Sequence, residues 1–302
     1  MKLVRCCCGK EETYGILTKN GKMLRIRPLA EKFGLKLPKT LEGFVRKGIR
    51  AIEAAEEILK KASEKEIEAF SLPLDEVRLL APLAHPPKII CLGLNYLDHI
   101  EEDVTGRGKA VPSEPIIFIK PHTTIIGHGQ SIIKPSFVKQ LDYEAELAIV
   151  MGARAKNVSA EEARSRIFGY TILNDVTARD VQLKDVQWTR GKSFDTFAPI
   201  GPCIVTQNQI PDPTNLYIRA WVNGEPRQNS TTKNMIFNVY EIVHHLSRVM
   251  TLEPCDIIAT GTPAGVGYAL KPEPKFLQDG DIVRIEIEGI GTLENKVVEV
   301  KF

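Results

Sequence analysis

Apolar residues recur along this chain in two registers. From Thr40 to Lys65 they fall at Leu41, Phe44, Val45, Ile49, Ile52, Ala55 and Ile58, near the spacing of one helical face, with Glu and Lys between them. From Ile89 onward the pattern changes to short apolar runs separated by Gly and Pro: KIICLGL, PIIFIK, LAIVM, GYTIL, GPCIV, LYIRAWV, DIIATG and DIVRIEIEG, each of strand length. Helical signals are fewer there. Ser159-Ala160-Glu161-Glu162 predicts a short helix with a serine N-cap, and Asn238 to Met250 has helical periodicity. Residues 1 to about 28 predict short strands around the turn Lys19-Asn20-Gly21. The segment LPLDEVRLLAPLAHPPKI, with prolines at 73, 82, 86 and 87, predicts an extended linker. The chain therefore divides into a small N-terminal module, residues 1–72, and a larger domain, residues 73–302. Strands dominate without regular βαβ alternation, which argues against a doubly wound or TIM-like parallel fold and predicts an α+β class with curved, barrel-like sheets.

One run breaks the apolar pattern. In LDYEAELAIVMG, alternate residues of a strand face the same way, so Asp142, Glu144 and Glu146 share one face while Tyr143, Ala145, Leu147 and Ile149 take the other. Three acids then converge beside a core. Carboxylates that close repel and lose hydration, and they stay ionised only if a cation or a set of donors compensates them. A hard divalent cation, magnesium, manganese or calcium, suits oxygen ligands. A solvated acidic face is the plainer alternative. A further acid, Asp175, ends the apolar piece Tyr170 to Leu173 in GYTILNDVTARD. Two carboxylates from the first strand plus Asp175 from the second make a three-ligand shell with positions left for water and substrate.

Three other segments carry candidate chemistry. If residues 96–103 are helical, His99 and Glu102 are surface neighbours, and a carboxylate beside an imidazole raises its basicity and fixes its orientation as a general base. The polar, Gly- and Pro-rich DVTGRGKAVPSEP that follows reads as a mobile lid. QWTRGKSFDTFAPIGP brings Arg190 and Lys192, of which a lysine near an acidic metal site can stabilise a developing oxyanion. DIIATGTPAGVG is a strand running into a Gly-rich turn with Thr262, whose backbone amides can hold a carboxylate or phosphate. It is neither a Walker loop nor a Rossmann fingerprint, because the Lys-Ser/Thr pair is missing and Pro263 sits in the turn. A cation-independent sugar-acid or nucleotide module built on this turn is a rival reading. His244 and His245 fall on the predicted C-terminal helix and read as structural.

Bulk properties narrow the partners. With 40 Lys and Arg against 38 Asp and Glu, the net charge is +2, without the clustered basic face of a nucleic-acid protein. No apolar run approaches a membrane span, and MKLVRCCCGK has no stretch long enough for a secretory signal, so the expectation is cytoplasmic. The six cysteines show no C-x-x-C pair: Cys6, Cys7 and Cys8 are consecutive, while Cys91, Cys203 and Cys255 lie singly in apolar surroundings. Most read as reduced core residues, and the Cys6 to Cys8 run cannot turn all its sulfurs to one metal.

The blocks NYLDHIEE, PIIFIKP, LDYEAELAIVMG, GYTILNDVTARD, RGKSFDTFAPIGP and TLEPCDIIATGTPAGVG, in this order, resemble the fumarylacetoacetate hydrolase superfamily over roughly residues 88–300. With LPKTLEGFV and FLQDGDIVRIEIEGIGTLENKVV, the whole chain looks most like the domain-containing branch of that superfamily and its microbial relatives. The resemblance implies a mixed β-roll catalytic domain, a homodimer, and Mg2+ or Mn2+. It puts the metal carboxylates on Glu144, Glu146 and Asp175, with Asp142 behind them, the catalytic His and Glu on His99 and Glu102, and the active-site lysine on Lys192. Thr262 matches the position that helps hold the substrate carboxylate, and Arg190 joins it as a candidate substrate contact. Cys255 departs from the pattern, in a turn where relatives often have Gly. The implied activity is metal-dependent turnover of a small 2-oxo or enol carboxylic acid through a metal-stabilised enolate. Carbon-carbon hydrolysis or isomerisation of acylpyruvate-like, oxaloacetate or 2-hydroxyhepta-2,4-diene-1,7-dioate-like substrates comes first, with oxaloacetate tautomerisation or decarboxylation as the alternative. A catalytically silent metal-binding homodimer is the rival from another class.

Overall fold

The structure, a computed structural model, describes residues 1–9, 11–102, 110–185 and 187–301. Its organising element is the strand Ala145–Met151, every residue of which is buried. It pairs antiparallel with Ile167–Asn174 on one side, Ala145 opposite Asn174, and with Ile257–Ala259 on the other. Ala145, Leu147, Ile149 and Met151 face one core and Ala148 and Val150 a second. Burial on both faces explains why LAIVM shows no polar alternation.

Around this strand runs a twelve-stranded sheet. Beyond Ile257–Ala259 comes Ile89–Gly93, in parallel, and then Ile116–Lys120, antiparallel. In the other direction Ile167–Asn174 leads to Ala198–Thr206, then Lys2–Cys8, Glu11–Leu17, Lys22–Leu24 and Ser71–Pro73. A five-stranded sheet follows the order Glu225–Thr231, Tyr217–Val222, Ile282–Ile287, Gly291–Val300, Ile132–Pro135. The helix Val239–Val249 contributes Ile242, Val243 and Leu246 to the first core, which includes Ile218, Ala220, Ile285 and Leu293 of the smaller sheet. Helices Leu41–Lys47 and Ile49–Lys61 contribute Leu41, Phe44, Val45, Ile52, Ala55 and Ile58 to the second.

The α+β class holds, with antiparallel pairing dominant. Several local expectations are corrected. The helical stretch after Thr40 is two helices, because Gly48 has φ +58°, outside the helical range. KMLRIRPL is a three-residue strand followed by the helix Ile26–Lys32, with Pro28 in the first turn where its missing N–H costs nothing. The proline-rich segment is not a free linker: Arg78–Leu80 pairs with Lys2–Cys8. Cys255 takes φ +76°, the left-handed region that favours glycine. Of the predicted lid, residues 103–109 lie outside the described residues. Among the described residues no helix is long and apolar enough to cross a membrane.

The helix Val239–Val249 starts in a full capping box. The Asn238 side chain accepts from the amides of Tyr240 and Glu241, and Glu241 returns a bond to the Asn238 amide. Asn238→Ala should lower stability by about 1 kcal/mol. Chemical denaturation with an unchanged midpoint would contradict this account of the helix start.

Candidate active site

The site grows out of the register between the two central strands. Opposing Ala145 to Asn174 brings the residues just beyond the pair, Glu144 and Asp175, side by side. The Asp175 amide donates to the Glu144 carbonyl at 2.9 Å, and the Glu144 amide donates to Asn174 Oδ1 at 3.0 Å. The expected continuous acidic strand is therefore broken: Leu141–Asp142 pairs with Thr177–Ala178, and the central strand restarts at Ala145. One oxygen from each of Glu144, Glu146 and Asp175 lies within 4.8 Å of the others, and all three residues are buried.

Cations compensate them. Lys192, its side chain 3% exposed, donates to Glu144 Oε2 at 2.8 Å and Asp175 Oδ2 at 2.6 Å. Lys120 donates to Asp175 Oδ1 and to the Val176 carbonyl. Arg179 bridges Asp142 and Glu144, with Nε 2.9 Å from Asp142 Oδ2 and Nη2 2.7 Å from Glu144 Oε1. Burial pushes the Glu144 carboxyl up, but Lys192 and then Arg179 outweigh it and hold the group down at about 2. Glu146 goes the other way. Burial, and next the charges of Asp175 and Glu144, push it well above the usual carboxylate range. Its Oε2 accepts from the Gly261 amide at 2.8 Å, while its buried Oε1 has no partner among the described residues.

His99 shares one small cleft with Glu144 and Lys192 of this cluster, lined also by Leu92, Gly93, Phe118, Arg179, Gln182, Trp188 and Thr262. The short helix Leu97–Ile100 and the residues after it set His99 Nδ1 2.7 Å from Glu102 Oε2. The other Glu102 oxygen accepts from the Gly265 amide at 2.7 Å.

The Gly-rich turn does something other than expected. Its amides hold the protein's own carboxylates in place of an external anion: Gly261 donates to Glu146, Gly265 to Glu102, and Gly267 and Tyr268 to Asp142 at 2.7 and 3.1 Å. These donors are thereby occupied, which removes the basis for an anion-binding module built on this turn. Gly265 has φ +102°, and a Cβ there would lie 2.0 Å from the Arg227 carbonyl oxygen, so the close approach needs glycine.

Six of the eight candidate residues, Glu144, Glu146, Asp175, His99, Glu102 and Lys192, meet in this cluster. Thr262 also lines the cleft, but its hydroxyl already donates to the Ala145 carbonyl at 3.0 Å and accepts from Gln228. Arg190 stands apart, paired with Asp185 at 2.6 Å with its side chain 63% exposed. Lys120, Arg179 and Gln228 were missed. Lys120 had one visible signal, a lysine closing the apolar run PIIFIKP. Arg179 sits four residues past Asp175, at a place where sequence offers no reason to expect burial.

The profile described as fumarylacetoacetate (FAA) hydrolase C-terminal matches residues 88–298. The chain belongs to the fumarylacetoacetate hydrolase family. It is 44% identical over 264 residues to the mitochondrial oxaloacetate tautomerase FAHD2A of Bos taurus, covering 87% of this chain and 81% of the bovine one. The fumarylacetoacetate hydrolase of psychrophilic Exiguobacterium antarcticum superposes with a TM-score of 0.82 at 39% identity, over 99% of this chain and 100% of that one. A maleylpyruvate hydrolase from Sphingobium sp. SYK-6, solved in complex with manganese(II) and pyruvate, gives a TM-score of 0.77 at 28% identity, over 99% of each chain. This member of the family is thus an enzyme whose relatives include hydrolases and tautomerases of small organic acids.

The buried network makes a stability forecast. Lys192→Met leaves Glu144 and Asp175 facing each other, and breaking a buried ion pair from one side costs about 3–5 kcal/mol. Denaturation in chelator should show that loss, with part of it recovered when magnesium or manganese is added. A midpoint equal to wild type in chelator would refute the compensating role of Lys192.

Proposed function

We propose that the protein is a divalent-metal-dependent enzyme that moves a proton at the carbon next to the ketone of a small 2-oxo acid, with keto-enol conversion of an oxaloacetate-like substrate as the simplest outcome. The observation that carries this is a His-Glu pair whose imidazole shares one cleft with Glu144, a member of a cluster of three buried carboxylates. The donor set fits a hard cation: all three donors are carboxylates, they lie within reach of a single ion, and Glu146 keeps a buried oxygen without a partner. Glu144, Glu146 and Asp175 would hold Mg2+ or Mn2+, which when bound supplies Lewis acidity toward the carboxylate and 2-oxo oxygens of the substrate.

The remaining steps belong to the chain. Glu102 fixes the imidazole of His99 through Nδ1, leaving Nε2 to take or return the proton. Lys192 and Arg179 put positive charge on the cleft wall where negative charge develops on the substrate oxygen. Thr262, with one lone pair of its hydroxyl still free after the Ala145 and Gln228 bonds, can accept a hydrogen bond from substrate or water at the cleft wall. The bovine tautomerase supports the reading. Water attack on a distal carbonyl, giving carbon-carbon hydrolysis, is the second outcome the same groups allow, and the two structural neighbours described as hydrolases favour it. A homodimer is part of this proposal on family grounds.

Oxaloacetate, acylpyruvates and unsaturated hydroxy-diacids assayed with and without magnesium or manganese test it. Glu146→Gln should abolish metal-dependent turnover. His99→Ala should keep metal affinity while losing roughly 100- to 10,000-fold in kcat. Full activity in the presence of a strong chelator, or in either variant, would remove the corresponding role.

A further inference from the structure

Asp98, next to His99, takes no part in the functions assigned above, yet three donors among the described residues converge on its carboxylate. Oδ2 accepts from Ser230 Oγ at 2.6 Å and from Asn234 Nδ2 at 3.2 Å, and Oδ1 accepts from the Ala264 amide at 3.4 Å. Asn234 Nδ2 also donates to Ser230 Oγ at 3.0 Å, which leaves the serine proton directed at Asp98.

The partners belong to other parts of the fold. Ser230 lies on the strand Glu225–Thr231, Asn234 just beyond it, and Ala264 in the Gly-rich turn. Upstream, Asn95 ties the same segment down: its carbonyl accepts from the Ile236 amide at 2.8 Å, and its side chain bonds Phe237 and the Thr260 carbonyl. Downstream, Glu102 is held by the Gly265 amide. The helix of four residues that carries His99 is too short to hold its own shape. Its position is set by anchors outside it.

We infer that Asp98 is a positioning residue: by docking the Leu97–Ile100 turn on Ser230 and Asn234 it sets the approach of His99 to the substrate. This rests on the proton-transfer reading above. A misplacement of the order of 1 Å at such a site costs about 100-fold in rate.

The test compares Asp98→Ala, Asp98→Asn, Ser230→Ala and the double variant Asp98→Ala with Ser230→Ala, using the substrate that the wild type turns over best. Both Asp98 variants should lose about 10- to 100-fold in kcat, with KM, manganese affinity and melting temperature close to wild type. Asn keeps the shape but points an amide N–H at donors, so a space-filling role would spare Asp98→Asn. Ser230→Ala should show a smaller kcat loss, and the double variant should be no worse than Asp98→Ala alone. Wild-type kcat in Asp98→Ala, or a loss shared equally by metal affinity and melting temperature, overturns the inference. A second readout does not depend on turnover: acylation of His99 by diethyl pyrocarbonate, followed by peptide mass, should be several-fold faster in Asp98→Ala. If the wild type acts on none of the acids, the functional reading fails separately, and an unchanged acylation rate then overturns this inference too.

Discussion

Four buried carboxylates held in one small volume are the constraint on which the rest of this structure depends. Asp142, Glu144, Glu146 and Asp175 are all at or below 5% exposure, and unpaired buried charges of that number cannot persist. Compensation comes from two sources. Lys192, Lys120 and Arg179 supply charge, and the amides of the turn after Ile257–Ala259 supply fixed dipoles. The division is uneven. Glu144 is held by two cations and ionises easily, whereas Glu146 receives a single amide and is driven toward its protonated form. Among the described residues, Glu146 Oε1 is left as a buried oxygen without a hydrogen-bond partner.

The Gly-rich turn connects this cluster to the His99-Glu102 pair. Through the Gly261 and Gly265 amides it grips Glu146 on the carboxylate side and Glu102 on the histidine side. Gln228 binds Thr262 and the Pro263 carbonyl while accepting from the Ala145 amide, so the turn is also stitched to the start of the central strand. Rigid backbone donors hold both halves of the site in one frame. Such preorganisation lets charge develop on a substrate with little reorganisation of its surroundings.

Much of this was legible beforehand because it depends on local pattern. The acids of LDYEAELAIVMG announced themselves as polar residues inside an apolar run, and period-two alternation separated Glu146 from Leu147 and Ile149, but it did not foresee the break that puts Asp142 in another strand. His99 and Glu102 were paired by helical spacing alone. Arg190 shows the limit of the same logic. Two residues from Lys192 on a helical turn, it points to the opposite side and reaches Asp185, so proximity in sequence carried no information about proximity to the site.

The chain by itself determined which residues are apolar, where the capped helices at Ser159 and Asn238 begin, and which acids lie beside a core, since these follow from periodicity and from side-chain chemistry within a few residues. Only the tertiary structure decided which cations meet those acids, that the glycine turn spends its amides on the protein's own carboxylates, and that Asp98 docks on Ser230 and Asn234. Those pairings join segments tens to more than a hundred residues apart. Their partners are chosen by strand register and loop closure, and neither is written in the local alternation of polar and apolar positions.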